Sequence, residues 1–205
     1  MTRIFHITHV SNLNGIINHG GLACDRQAQA LDHTCIGYGH IKARRMVRPV
    51  QCGPGGTLGD YVPFYFAPRS PMLFTISRGN VPGYTGGQTQ IVHLVSSAEA
   101  VHKAGLTFVF TEGHAVISIS KFFTNLADLK KVDWKIMAAR YWHDTDTDGD
   151  RKRRREAEFL VQNQLPWNLI QNIGVYDKNI EARVTQILET IEHKPDVTVE
   201  RGWYY

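Results

Sequence analysis

Glu158 stands between a cationic run and an apolar one, in "RKRRREAEFLV" at residues 151–161. Strand alternation puts Glu156, Glu158 and Leu160 on one face, with Ala157, Phe159 and Val161 on the other. A carboxylate on a strand inside a cleft can hydrogen-bond a sugar hydroxyl and favour positive charge on the neighbouring sugar carbon. Carboxylates stabilise oxocarbenium-like transition states by this logic. The basic run would then dock a polyanion beside that carbon. The simpler alternative is a solvated basic loop entering a core strand, with Glu158 facing water.

Two other clusters carry residues suited to chemistry. In "HITH", His6 and His9 are three apart, so on a strand they face opposite ways while His6 and Thr8 share a face. A shared zinc ion is therefore not expected; a ligand in a cleft would meet His6 and Thr8 together. In "PRSPM", residues 68–72, two prolines stiffen a corner carrying Arg69, Ser70, Pro71 and Met72. With Arg69 and Ser70 outward, such a corner suits phosphate contact and base stacking of a single strand, or else it is only a structural turn.

Several chemistries are excluded. "DTDTDG", residues 144–149, begins like a calcium loop, but the position that needs a bidentate carboxylate is Arg155. "CGPGGTLGD" matches neither dinucleotide nor P-loop glycine spacing, and no GxSxG nucleophile elbow is present. The three cysteines, Cys24, Cys35 and Cys52, form no CxxC pair, so neither a disulfide framework nor a zinc site is indicated. No metal is expected.

The 42% hydrophobic and 20% charged content is that of an ordinary globular protein, and 205 residues suffice for one domain, expected over 1–205. No run of eighteen apolar residues suggests a membrane span or signal peptide, so a cytoplasmic location is expected. Net charge is only +4, yet nine of the 23 Lys and Arg fall within 42–48 ("KARRMVR") and 151–155 ("RKRRR"). Such clusters favour a polyanion, and nucleic acid over a membrane because neither lies on a long amphipathic helix.

The elements that must position these residues read as an α+β chain. "RIFHITHV", "TQIVHLVSS", "LTFVFTE", "AEFLVQNQ" and "IGVYDKN" have strand character. "YVPFYFA" and "MLFTI" read as apolar strands or buried segments. A short helix follows an N-cap at Ser11, "IKARRM" is a helix candidate, and helical spacing links Leu126, Leu129, Val132, Ile136 and Met137. "IEARVTQILETIEH" forms the final helix and "DVTVERGWYY" ends extended.

The segments "FHITHVSNLNGII", "YGHIKARR", "GGTLGDYVPFYFAPRSPMLF", "GGQTQIVHLVSS", "AVHKAGLTFVFTEGHAV", "AEFLV" and "WYY" together resemble the DarT family. These are bacterial toxins that transfer ADP-ribose from NAD+ onto single-stranded DNA. The resemblance runs from about residue 4 to residue 205. It implies an ADP-ribosyltransferase-like split mixed sheet with surrounding helices. It assigns NAD+ contacts to His6, Ile7, Thr8, Gly15, Ala23, Tyr38, His40, Arg45 and Tyr65, with 32–50 as a family-specific NAD+-binding element. Arg45 and Glu158 match its essential arginine and glutamate. The stretch from His114 to Glu158 matches a substrate-recognising region, which brings His114, Lys152, Arg153, Arg154 and Arg155 to DNA alongside residues 69–72.

The implied reaction joins ADP-ribose to thymine N3 and so blocks replication; a macrodomain antitoxin of the DarG type would reverse it. Thymine N3–H ionises only near pH ~10, like a phenol, and either Arg45 or Glu158 could ease its ionisation. Guanine in DNA, RNA or protein acceptors, and a non-catalytic nucleic-acid-binding module, are the alternatives. The charged approach "DTDTDGDRKRRRE" departs from a more neutral family pattern and predicts stronger, more salt-dependent DNA binding.

Overall fold

The computed structural model describes residues 1–205. Its strands are β1 (Arg3–His9), β2 (Gly21–Ala23), β3 (Tyr61–Tyr65), β4 (Ile91–Ser97), β5 (Phe108–His114), β6 (Phe122–Phe123), β7 (Ala157–Gln162), β8 (Gln164–Pro166), β9 (Asn172–Val175) and β10 (Asp196–Val199). The helices are α1 (Leu13–Asn18), α2 (Asp25–Ala28), α3 (Gly39–Val47), α4 (Pro71–Ser77), α5 (Ala98–Lys103), α6 (Trp134–Ala138), α7 (Arg151–Arg155) and α8 (Lys178–Leu188). Eight strands form one sheet in the order β10-β9-β4-β1-β3-β7-β5-β6, and β2 pairs with β8 separately. Only β9 and β10 run parallel, so the sheet is mixed.

The sheet is thinly joined at its middle. β1 pairs with β4 along its whole length, from Arg3 opposite Ser97 to His9 opposite Ile91. It meets β3 only where Phe5 faces Tyr65. Beyond that point the two halves are bridged by a side chain: the His6 ring Nδ1 lies 2.8 Å from the Pro63 carbonyl. The split expected of this fold opens there.

The main core forms on the face of β7 that carries Ala157, Phe159 and Val161, as the alternation predicts. Phe159 stacks on Phe108 at 4.9 Å between ring centroids and on Phe110 at 6.4 Å. Truncating such a ring to alanine costs about 3–5 kcal/mol. Leu160, on the opposite face, joins Tyr61 and Val109 in a smaller cluster. Glu158 shares that face, just past the end of the apolar packing.

Several elements differ from the sequence reading. "MLFTI" lies in a helix, α4, although its Phe, Thr and Ile favour strands. Local chemistry wins: Pro71 fills the first turn and the Ser70 hydroxyl accepts the Leu73 N–H at 3.2 Å. Leu73 and Ile76 are then buried along one side. Ser11 does not cap α1; it lies in a 3-10 turn, Val10–Asn12, where the His9 ring accepts the Ser11 N–H at 3.2 Å. The periodic stretch from Leu126 breaks into a 3-10 segment, Leu126–Lys131, and α6. The break falls at Asp133, whose side chain caps α6 through the Ile136 N–H. The basic run is the short helix α7, not a loop. α5, started by the Ser97 cap and stopped before Gly105 at φ +70°, was not anticipated.

Candidate active site

Glu158 is buried at 4% exposure, and every bond it makes comes from a distant part of the chain. α3 places Arg45 so that its Nη1 donates to Glu158 Oε2 at 2.7 Å. The other carboxylate oxygen, Oε1, accepts the Ala115 N–H at 3.1 Å and faces His114 Nδ1 at 3.4 Å. A slip in the β5–β7 register between Phe110 and His114 brings those two groups to Glu158. The slip is pinned by Thr111, whose hydroxyl accepts the Glu158 N–H at 3.1 Å and donates to the Gly113 carbonyl at 2.6 Å.

Arg45 has a second carboxylate. Its Nε donates to Asp25 Oδ2 at 2.6 Å, from the first residue of α2, while its buried Nη2 has no protein partner. An unmet buried donor costs about 1–3 kcal/mol, so a ligand oxygen is the natural complement. Asp25 was missed by the sequence reading; "ACD" has no spacing relation to Arg45, and only the fold brings them together.

Burial alone pushes the Glu158 carboxyl up, but the charges and hydrogen bonds of Arg45 and His114 outweigh it and hold the group at about 2. Burial likewise works against the Arg45 charge, yet Glu158 and Asp25 raise its pKa further above the ordinary arginine value. His114 loses basicity by burial and regains more from Glu158, for a net rise. Tyr65, directly across the β3–β7 ladder from Glu158, has its phenol pushed up by burial and by the Glu158 charge. Burial chiefly lowers the basicity of the His6 imidazole; in its neutral form Nδ1–H donates to Pro63 and Nε2 is an acceptor.

These groups line one cavity of about 1110 Å³. It is bordered by residues of β1, α1, α3 and α4, and by Trp142, His143, Asp144, Gly149 and Lys152. Of the residues assigned to NAD+ from sequence, His6, Ile7, Thr8, Gly15, Ala23, Tyr38, His40, Arg45 and Tyr65 all border it, though the Ile7 side chain lies in a core cluster. Thr8 is buried and accepts from Asn12 Nδ2 at 3.0 Å, with His6 on its face as expected. Lys42 and Arg44 line the same cavity and form no ion pair. The "KARR" cluster therefore faces this cavity.

The residues assigned to DNA divide differently. Pro71, Met72, His114, Lys152 and Arg153 border the cavity. Ser70 is buried as the cap of α4, which corrects the expectation that it faces outward. Arg69 is half-buried, its guanidinium 4.4 Å from the centre of the Tyr205 ring. The basic run is largely neutralised within the chain, against the expectation of a polyanion dock. Arg153 holds Asp150 through two bonds of 2.7 Å and Glu112 through a third of 2.7 Å. Arg154 pairs with Asp133 at 2.7 Å and with Asp148. Arg155 is buried and donates to the carbonyls of Ile136, Met137, Ala139 and Arg69. Lys152 alone of these four is exposed. The acidic turn "DTDTDGD" supplies Asp148 and Asp150, the counter-charges that the sequence pattern placed merely beside the run.

A DNA ADP-ribosyl transferase of Thermus sp. (strain 2.9) is 46% identical over 206 aligned positions, covering 100% of this chain and 96% of the relative. A solved structure of Thermus sp. 2.9 DarT in complex with ADP-ribosylated ssDNA superposes with a TM-score of 0.94 at 45% identity, covering 100% of this chain and 96% of that one. A second structure of Thermus sp. 2.9 DarT, in complex with NAD+, gives a TM-score of 0.90 at 43% identity over 100% of this chain and 98% of that one. The family model described as "ssDNA thymidine ADP-ribosyltransferase, DarT" matches residues 5–205, and the chain belongs to the DarT family.

Proposed function

We propose that this chain is an NAD+-dependent transferase that attaches ADP-ribose to N3 of thymidine in single-stranded DNA, acting as a toxin by blocking replication. The observation that carries the reading is the buried Arg45–Glu158 pair on the wall of a single large cavity. A carboxyl held at about 2 is ionised throughout the physiological range. Such an anion stabilises the positive charge that grows on the ribose carbon as nicotinamide departs. Arg45, always charged and bonded from two sides, fixes the orientation of that carboxylate, and its Nη2 is a donor for a substrate oxygen. Lys42 and Arg44 suit the diphosphate of NAD+.

Pro71, Met72 and Lys152 also border the cavity, and we place the DNA strand along them. Arg69, Arg154 and Arg155 then act through the shape of that wall, since their guanidinium groups are spent on the protein or on Tyr205. Two further parts of the reading rest on the family alone: a macrodomain antitoxin that removes the modification, and a cytoplasmic location. No helix is long and apolar enough to cross a membrane.

The reading is tested by incubating the protein with NAD+ and a panel of short single-stranded oligonucleotides, then weighing the products. One ADP-ribose added to thymine-containing DNA strands alone is the expected result. An adduct confined to guanine-containing strands, to RNA or to protein would replace the acceptor while leaving the donor chemistry.

A further inference from the structure

The transfer needs a base, because the thymine imide keeps its N3 proton below pH ~10, and the two residues central to the site are unsuited to take it. Both Glu158 oxygens are occupied, and protonating the carboxylate would dismantle the pair with Arg45. Arg45 is held charged between two carboxylates. His114 Nδ1 faces Glu158 Oε1 at 3.4 Å, and that carboxylate raises the basicity of the imidazole more than burial lowers it. His6 has a free Nε2, but its charged neighbours are Asp25, Arg45 and Lys42, on the α3 side of the cavity.

Glu156 remains. It sits where α7 ends and β7 begins, borders the cavity, is half-buried, and its carboxylate has no hydrogen-bond partner in the protein. The charged groups around it are His114 from β5, Lys152 from α7, Glu158 from β7 and Asp144 from the preceding loop. This is the α7 side of the cavity, where the DNA strand enters on the proposed reading.

We propose that Glu156 is the general base of the transfer, accepting the N3 proton of the target thymine as N3 bonds to the ribose carbon. The assignment rests on the acceptor proposed above. The electron pair of the N3–H bond forms the new N3–C1′ bond, and the proton passes to the Glu156 carboxylate. The C1′–N bond to nicotinamide breaks with its pair going to the ring nitrogen, which cancels the pyridinium charge. Lys152 and His114, the basic groups that act on Glu156, complement the O2 and O4 oxygens that gain negative charge as the proton leaves. Burial pushes the Glu156 carboxyl up, toward the operating pH at which a base works best.

The test is the transfer rate of full-length Glu156→Gln against wild type, over a series of pH values, on a thymine oligonucleotide and on one with the more acidic 5-fluorouracil in its place. At neutral pH the glutamine variant should be slower on thymine by about 100-fold or more. That deficit should shrink as pH rises toward ~10, where the imide ionises unaided, and should be smaller on 5-fluorouracil at every pH. Glu156→Asp, which keeps a carboxylate, should recover part of the rate. A deficit under about threefold, or one equal at all pH values and for both bases, overturns the assignment; so does a folded aspartate variant no better than glutamine. If wild type itself leaves thymine unmodified, the acceptor reading has failed, and the assignment falls with it.

Discussion

Arg45 and Glu158, 113 residues apart in sequence, meet across 2.7 Å in the protein interior, with side chains 7% and 6% exposed. Such a pair is asymmetric in its energetics. Forming it offsets two large desolvation penalties, whereas removing one partner strands the other and costs about 3–5 kcal/mol. Glu158→Ala should therefore lose stability as well as activity. Glu158→Gln, which keeps the shape and an acceptor for Arg45, should retain more of the stability. Urea unfolding of wild type and the two variants checks the order; alanine as stable as glutamine would contradict it.

The same pair sets a pH window for stability. The Glu158 carboxyl sits at about 2 in the fold, below its ordinary 4.5. Its contribution is thus complete above pH 4.5 and is lost as pH falls toward 2. His114 is shifted upward from 6.5, so its contribution is complete below that value and fades as pH rises through its folded pKa. Wild type should lose more stability than Glu158→Gln between pH 4.5 and 2, measured by thermal melts in matched buffers. Parallel curves would show that the pair contributes nothing.

Gly15 tests the cavity without disturbing the fold. A Cβ added there meets nothing within 4 Å, and the residue borders the cavity from α1. Gly15→Ala should raise stability by about 0.5–1 kcal/mol through helix propensity. Gly15→Phe should melt no lower than Gly15→Ala by more than a degree or two, yet weaken NAD+ binding at least tenfold by calorimetry. Unchanged binding would place NAD+ elsewhere.

The basic run separates into a binding and a structural part. Arg155→Gln removes bonds to four carbonyls and should destabilise by about 2–4 kcal/mol. Lys152→Gln should leave stability within about 0.5 kcal/mol and lower the salt slope of single-stranded DNA binding by about 0.7. Fluorescence anisotropy at several salt concentrations reads the slope; a smaller change for Lys152 than for Arg155 would reverse the division.

Gly21 borders the cavity and holds β2 against β8 by close approach. Its φ is +149°, and a Cβ there would lie 2.1 Å from the Leu165 carbonyl oxygen, in the β2–β8 pair. Gly21→Ala should cost about 2 kcal/mol or more by pushing those backbones apart. An unshifted melting temperature would contradict this.

Glu158 was legible in the sequence because a strand's two-residue period is local, and the family resemblance marked it and Arg45 together. His6 and Thr8 were legible for the same reason. What escaped is what depends on distant partners. Asp25 and Glu112 reveal their roles only once α3 and α7 are packed against them. The cationic run looked free because its counter-charges include Glu112 and Asp133, far upstream, and because both terminal nitrogens of Arg155 are taken up by carbonyls, which no residue type announces. α4 was misread because cap chemistry at Ser70 and Pro71 overrode the strand preference of the side chains that follow.

The most direct test of the central claim is single-turnover transfer by Glu158→Gln to a thymine-containing single strand, with folding and NAD+ binding confirmed on the same sample. If the buried anion stabilises charge on the ribose carbon, this variant binds NAD+ yet transfers ADP-ribose about 1,000-fold more slowly, the loss expected for removal of one such electrostatic group. A folded, NAD+-binding glutamine variant with a rate within a few fold of wild type would contradict the account.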